Sequence, residues 1–141
     1  MEYSKFENKY ILRLDKGEEI ISSLKDFCIN NSIRLGNISG LGSTNSIKIG
    51  LFDTTKKEYF SKEFTGDFEI LNLTGNISTM DGEIYLHVHV TISDSELHSY
   101  GGHLNSAIVS GTAEIIIETI EGSIERTYNP NIGLNLFDFK K

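Results

Sequence analysis

The chain has 141 residues, enough to bury one core and too few for two ordinary domains, so residues 1–141 are read as a single domain. Hydrophobic residues make up 38% and charged residues 23%, the proportions of a folded chain rather than a disordered one. Thirteen Lys and Arg against 20 Asp and Glu leave a net charge of −7, which repels phosphate backbones and excludes nucleic-acid binding by bulk charge.

In chain order, residues 1–15 mix Glu2, Lys5, Glu7 and Lys9 with isolated apolar residues and hold neither a signal-peptide core nor a spanning segment. The one cysteine, Cys28, excludes an intramolecular disulfide and suits a reducing compartment, so a cytoplasmic location is expected. Residues 9–14 read as a first strand. Asp15 and Glu18 have capping-box spacing, and Ile20, Ile21, Leu24, Phe27 and Cys28 then recur at helical intervals until Asn30-Asn31-Ser32 breaks the pattern. This predicts the principal helix, with Cys28 as a small buried hydrophobe.

Beyond it, residues 33–42 alternate small and apolar side chains, and Gly36, Gly40 and Gly42 fit close backbone packing rather than a phosphate-binding loop. Residues 46–53, 58–64, 68–77, 83–93 and 112–120 read as strands, punctuated by turn signals at Gly66-Asp67, Asp81-Gly82 and Glu121-Gly122. Asp81-Gly82 is the strongest hairpin signal. Phe52, Tyr59 and Phe60 offer a stacking surface, but Lys48, Lys56 and Lys57 supply too little charge for a strong single-strand binder. Residues 127–133, around the single proline Pro130, read as a surface loop. The apolar tail Leu134, Leu136, Phe137 and Phe139 requires cover within the monomer or from a neighbour. The fold class expected is α+β, a mainly antiparallel sheet with one principal helix.

The chemistry lies in Glu83–Ser93, where Ile84, Leu86, Val88, Val90 and Ile92 fall on one face and Tyr85, His87, His89, Thr91 and Ser93 on the other. Same-face neighbours stand roughly 7 Å apart, a gap that two imidazoles can close to meet one metal ion at about 2.0–2.1 Å per nitrogen. A hydrogen-bonded histidine pair is the other reading. Gly101-Gly102-His103 permits a turn that returns a third imidazole to this strand, and three histidines with an open fourth position describe a zinc site able to hold a ligand. Three imidazoles also suit copper, nickel, cobalt and iron. His98, between the strands, reads as solvent-exposed. Walker loops, Gly-x-Ser-x-Gly elbows and a Cys-His pair are absent from the sequence.

Leu86-His87-Val88-His89-Val90, an acidic loop, Gly101-Gly102-His103-Leu104 and Thr112-Ala113-Glu114-Ile115-Ile116 together resemble the PPC domain, the plant and prokaryote conserved domain. Upstream, Gly66-Asp67-Phe68-Glu69-Ile70-Leu71 is similar to that family's Gly-Arg-Phe-Glu-Ile-Leu stretch, and Gly40-Leu41-Gly42-Ser43 to its Gly-rich early segment. The resemblance implies a PPC-like α+β fold assembling as a homotrimer, with the histidines near subunit contacts and a metal on His87, His89 and His103. In plant members the domain follows AT-hook segments and mediates contacts with nuclear proteins, so the resemblance also implies DNA or a regulatory protein as partner. This sequence contains no Arg-Gly-Arg-Pro, and Asp67 stands where the plant sequences carry arginine.

Two functional readings follow. One is a non-catalytic, metal-stabilised homotrimer serving as a regulatory or interaction module associated with DNA. The other is a metal-dependent enzyme acting on a small molecule through the three-histidine site, with Glu69 the preferred base and Glu114 the second candidate.

Overall fold

The computed structural model describes residues 1–139; Lys140 and Lys141, included in the single-domain expectation, lie outside the described residues. Eight strands and one helix follow in the order β1 (Glu2–Phe6), β2 (Lys9–Asp15), α1 (Ile20–Asn30), β3 (Gly36–Asp53), β4 (Glu58–Met80), β5 (Glu83–Ser93), β6 (Ser99–Thr119), β7 (Glu125–Asn129) and β8 (Leu134–Asp138). The sheet is antiparallel apart from the β4–β7 contact at Thr79 and Glu125, so the α+β, mainly antiparallel expectation holds.

Strands β3, β4, β5 and β6 pair in succession, and β6 pairs back with β3, closing a ring. Alternation along each strand sends Ile38, Ile47, Leu73, Ile77, Val88, Val90, Ile92, Leu104 and Ile115 into one buried cluster. The helix adds Ile20, Leu24, Phe27 and Cys28 to that cluster from a single stripe. Burial pushes the Cys28 thiol up to about 12, which leaves it unreactive. Tyr3 and Tyr10 set their rings edge-on to Phe27, at 4.9 and 5.2 Å between centroids, and seal the helix under β1 and β2.

The helix starts later than the Asp15–Glu18 spacing predicts. The Glu18 carboxylate does accept the Asp15 N–H at 2.6 Å, but this closes a turn ahead of the helix. The cap is Glu19, whose carboxylate accepts from the N–H groups of Ile21 and Ser22 and from Ala107 N–H on β6. That third bond explains the choice, since it ties the helix start to the sheet.

Asp81 and Gly82 both have positive φ, 52° and 80°, and form the expected two-residue hairpin between β4 and β5. Gly66-Asp67 does not separate two strands. It lies within β4 as an irregularity between the pairs Ser46–Thr65 and Thr44–Phe68, which lets a 23-residue strand bend around the ring. Gly101-Gly102 likewise lies within β6, not in a turn. A Cβ on Gly102 would come within 2.6 Å of the Gly50 carbonyl oxygen, so glycine here serves close strand approach. Residues 127–133 are not all loop: Thr127, Tyr128 and Asn129 complete β7, and the turn narrows to residues 130–133, closed by Gly133 N–H donating to Asn129 O at 2.7 Å. The apolar tail becomes β8, paired with β7, and Phe139 beyond it is 75% exposed.

Candidate metal centre

On β5 the inward set is Val88, Val90 and Ile92, which forces His87 and His89 onto the outer face. His103 of β6 lies directly opposite His89 in the β5–β6 ladder. Two strand neighbours and one cross-strand partner therefore share one spot. Ring centroids are 4.9 Å apart for His87–His89, 5.3 Å for His87–His103 and 5.6 Å for His89–His103. One nitrogen from each ring can be chosen so that all three lie within 4.8 Å of one another.

The His87 and His89 Nε2 atoms are 3.2 Å apart. Two nitrogens on a tetrahedral ion at about 2.0–2.1 Å stand roughly 3.3–3.4 Å apart, so the spacing suits a shared metal. The same distance serves an imidazole–imidazole hydrogen bond, with one tautomer donating. Burial, and then the charge of Arg126 and the neighbouring rings, pulls His87 down to about 4, and burial also lowers His103. Near neutral pH these two rings are uncharged, the form that donates a lone pair to a metal.

The histidines open onto a cavity of about 580 Å³ lined by residues of β3, β4, β5, β6 and the β7–β8 hairpin. Phe52 and Tyr59 line it, so two of the three aromatic residues singled out for stacking belong here, while Phe60 stays outside, half exposed. Tyr59 sets its ring edge-on to His103 at 6.2 Å and donates its hydroxyl to Asn105 Oδ1 at 2.7 Å. The Lys57 ammonium donates to the Pro130 carbonyl at 2.7 Å, joining the β3–β4 and β7–β8 turns.

Sequence reasoning missed Arg126. Its guanidinium is stacked between Tyr85 and Phe137, 4.8 and 4.2 Å from the ring centroids. It donates through Nε to Ser78 Oγ, through one terminal nitrogen to Asn135 O and through the other to Asn76 Oδ1, each at 2.8 Å. No spacing rule points to it, because it reaches His87 through the fold of a separate hairpin.

The two carboxylate candidates stand elsewhere. Glu69 is exposed and pairs with Ser43 and Ser93, four positions along β5 from His89, roughly 13 Å at strand rise. Glu114 is exposed between Arg13 and Leu41, eleven positions along β6 from His103, roughly 36 Å. The structure brings neither to the histidines. His98 is in the turn after β5, its side chain 64% exposed and near Asp94 and Glu96, as its position in the sequence predicts.

The chain is similar along almost its whole length to solved structures. A proposed DNA-binding protein from Bacteroides thetaiotaomicron is 41% identical, with 99% of this chain and 98% of that one covered and a TM-score of 0.97. A plant- and prokaryote-conserved (PPC) protein from Pyrococcus horikoshii is 35% identical, with 99% and 95% covered and a TM-score of 0.86. A metal-containing protein from Archaeoglobus fulgidus is 34% identical, with 96% and 94% covered and a TM-score of 0.84. Among curated proteins, the bifunctional protein GlmU of Synechococcus is 29% identical over 127 residues, which span 88% of this chain and 19% of that protein's length. Residues 1–121 match the Plants and Prokaryotes Conserved (PCC) domain, and with its histidine ladder and sheet in place the chain belongs to that family.

Proposed function

We propose that the chain is a metal-binding, homotrimeric regulatory or interaction module of the cytoplasm, with zinc held by His87, His89 and His103. The observation that carries this reading is the convergence of three imidazoles, two of them held neutral by burial, from adjacent strands of one ladder. The metal-containing relative from Archaeoglobus fulgidus supports it. Self-association is supported by apolar side chains on the outer sheet face, where Ile11 pairs with Ile116 and where Leu41 and Leu71 are more than half exposed. No helix among the described residues is long and apolar enough to cross a membrane.

Association with DNA is supported by the likeness to the proposed DNA-binding protein from Bacteroides thetaiotaomicron. A net charge of −7 places that association in a local contact or a partner rather than in bulk charge. The relative in which this segment is 19% of a larger protein supports a module that serves different hosts.

The second reading, a metal-dependent enzyme acting on a small molecule, is favoured by the 580 Å³ cavity at the histidines. A divalent metal on these residues would supply Lewis acidity to a ligand oxygen. The chain's own part is to hold three neutral nitrogens in place, to orient His103 against the Tyr59 ring edge, and to shield the site under the β7–β8 hairpin. With Glu69 and Glu114 distant, Tyr59 and Tyr85 are the oxygen-bearing proton groups that line the cavity.

The test is metal content per chain on protein purified without an affinity tag, together with mass by light scattering. About one zinc per chain, lost in a His87→Ala/His89→Ala double variant, with a mass of three chains, is the expected result. Absence of metal from both proteins returns the histidines to a hydrogen-bonded cluster, and a monomer at micromolar concentration removes the assembly reading.

A further inference from the structure

The cavity over the histidines differs in charge from the rest of the protein. The chain carries 20 acidic residues, yet no Asp or Glu lines this cavity, and its one formally charged side chain is Arg126. Arg126 is 7% exposed, and its three hydrogen bonds all go to neutral oxygens. A guanidinium has five N–H groups, so two are left for a further partner. Among the described residues no carboxylate pairs with it. A buried cation without a counter-ion carries a desolvation penalty that hydrogen bonds to neutral oxygens offset only in part, and an anionic partner would offset the rest.

The position of this charge is specific. Arg126 stacks on Tyr85, two residues before His87 on the same face of β5, and it holds Asn76, the cross-strand partner of His87. The rest of the lining is largely apolar and includes Leu51 and Phe52 of β3 and Leu134 and Leu136 of β8. With Nε and one N–H of each terminal nitrogen engaged, Arg126 keeps one N–H on each terminal nitrogen, a pair of donors that suits the two oxygens of a carboxylate. A phosphate would leave further charged oxygens against the apolar wall.

We infer that the cavity binds a small organic carboxylate, its charged end between Arg126 and the three histidines and its aliphatic or aromatic body along Leu51, Phe52, Leu134 and Leu136. The inference builds on the metal reading for any second positive charge at the histidines, while Arg126 and the acid-free wall stand without it. Arg126 also lies beyond residue 121, where the family match ends.

The test is calorimetric titration with hexanoate, hexylammonium and inorganic phosphate, on zinc-loaded and metal-free protein. Saturable hexanoate binding is expected, about tenfold or more tighter than either of the other two, in line with a hydrogen bond to a charged group. Arg126→Met should weaken hexanoate by about tenfold or more while the zinc content of the chain stays that of the wild type. Leu51→Asp, at a position 67% exposed where folding is not at stake, places an acid in the wall and should weaken hexanoate similarly. Absence of saturable hexanoate binding in both forms overturns the inference, as does equal binding of hexylammonium, tighter binding of phosphate, or an unchanged affinity in Leu51→Asp. Zinc content is read separately: Arg126-dependent hexanoate binding without zinc upholds this inference and sinks the metal reading, and bound zinc without hexanoate binding does the reverse.

Discussion

The two faces of the β5–β6 ladder share one backbone and obey different rules. Inward, Val88, Val90, Ile92 and Leu104 are at most 3% exposed and belong to the single apolar cluster. Outward, one residue away along the same strands, Tyr85, His87, His89 and His103 line a cavity beside a buried arginine. The inner face is selected by volume and apolarity, so related side chains can replace one another at modest cost. The outer face is selected by the atoms it presents, and removing one changes chemistry more than stability. The contrast teaches that a strand in this fold carries core and site at once, separated by side-chain alternation alone.

That contrast can be broken from either side. The largest effect is expected inside: Ile92→Ala, at a fully buried position, should cost about 2–5 kcal/mol in urea unfolding and leave the number of metal ions bound per chain unchanged. Next, zinc at about a hundred times its dissociation constant should stabilise the wild type by about 2.7 kcal/mol in thermal melts and leave His87→Ala/His89→Ala unmoved. Arg126→Met strands Ser78 Oγ and Asn76 Oδ1 without their donor and should cost about 1–3 kcal/mol in the same urea assay.

A smaller effect concerns pH in metal-free protein. The unfolded chain protonates His87 near its ordinary 6.5, while the folded chain, with burial, Arg126, His89 and His103 all disfavouring the charge, does so at about 4. The unfolded state therefore holds more protons in that interval, and stability should fall as pH drops from about 6.5 to about 4 and lose nothing further from this group below it. Urea midpoints across that range check the slope, which His87→Gln should flatten. The smallest effect is Glu69→Ala, an exposed carboxylate remote from the histidines, expected within about 0.5 kcal/mol of wild type and with full metal content.

Signals that were local in the chain were legible. The helical stripe from Ile20 to Cys28, the Asp81-Gly82 hairpin and the alternation that puts His87 and His89 on one face each depend on dihedral preference or a period of two or 3.6 residues. Errors gathered where a local signal had two structural outcomes. Gly66-Asp67 can end a strand or kink one, and only the length of the β3–β4 pairing settles which. Gly101-Gly102 can form a turn or let strands approach, and the nearness of the Gly50 carbonyl decides for approach. Glu18 and Glu19 both offer a capping carboxylate, and Ala107 N–H, 88 residues away, selects the second.

By itself, then, the sequence determined which side chains face together along one strand, where the chain reverses at its tightest hairpin, and which family motifs stand in order. Tertiary structure alone decided that His103 stands opposite His89, that Glu69 and Glu114 stand apart from both, and that Arg126 of a separate hairpin closes the site. The physical reason is range: side-chain facing follows from backbone dihedrals within a few residues, whereas cross-strand register and the burial of a charge are set by packing among segments distant in the chain.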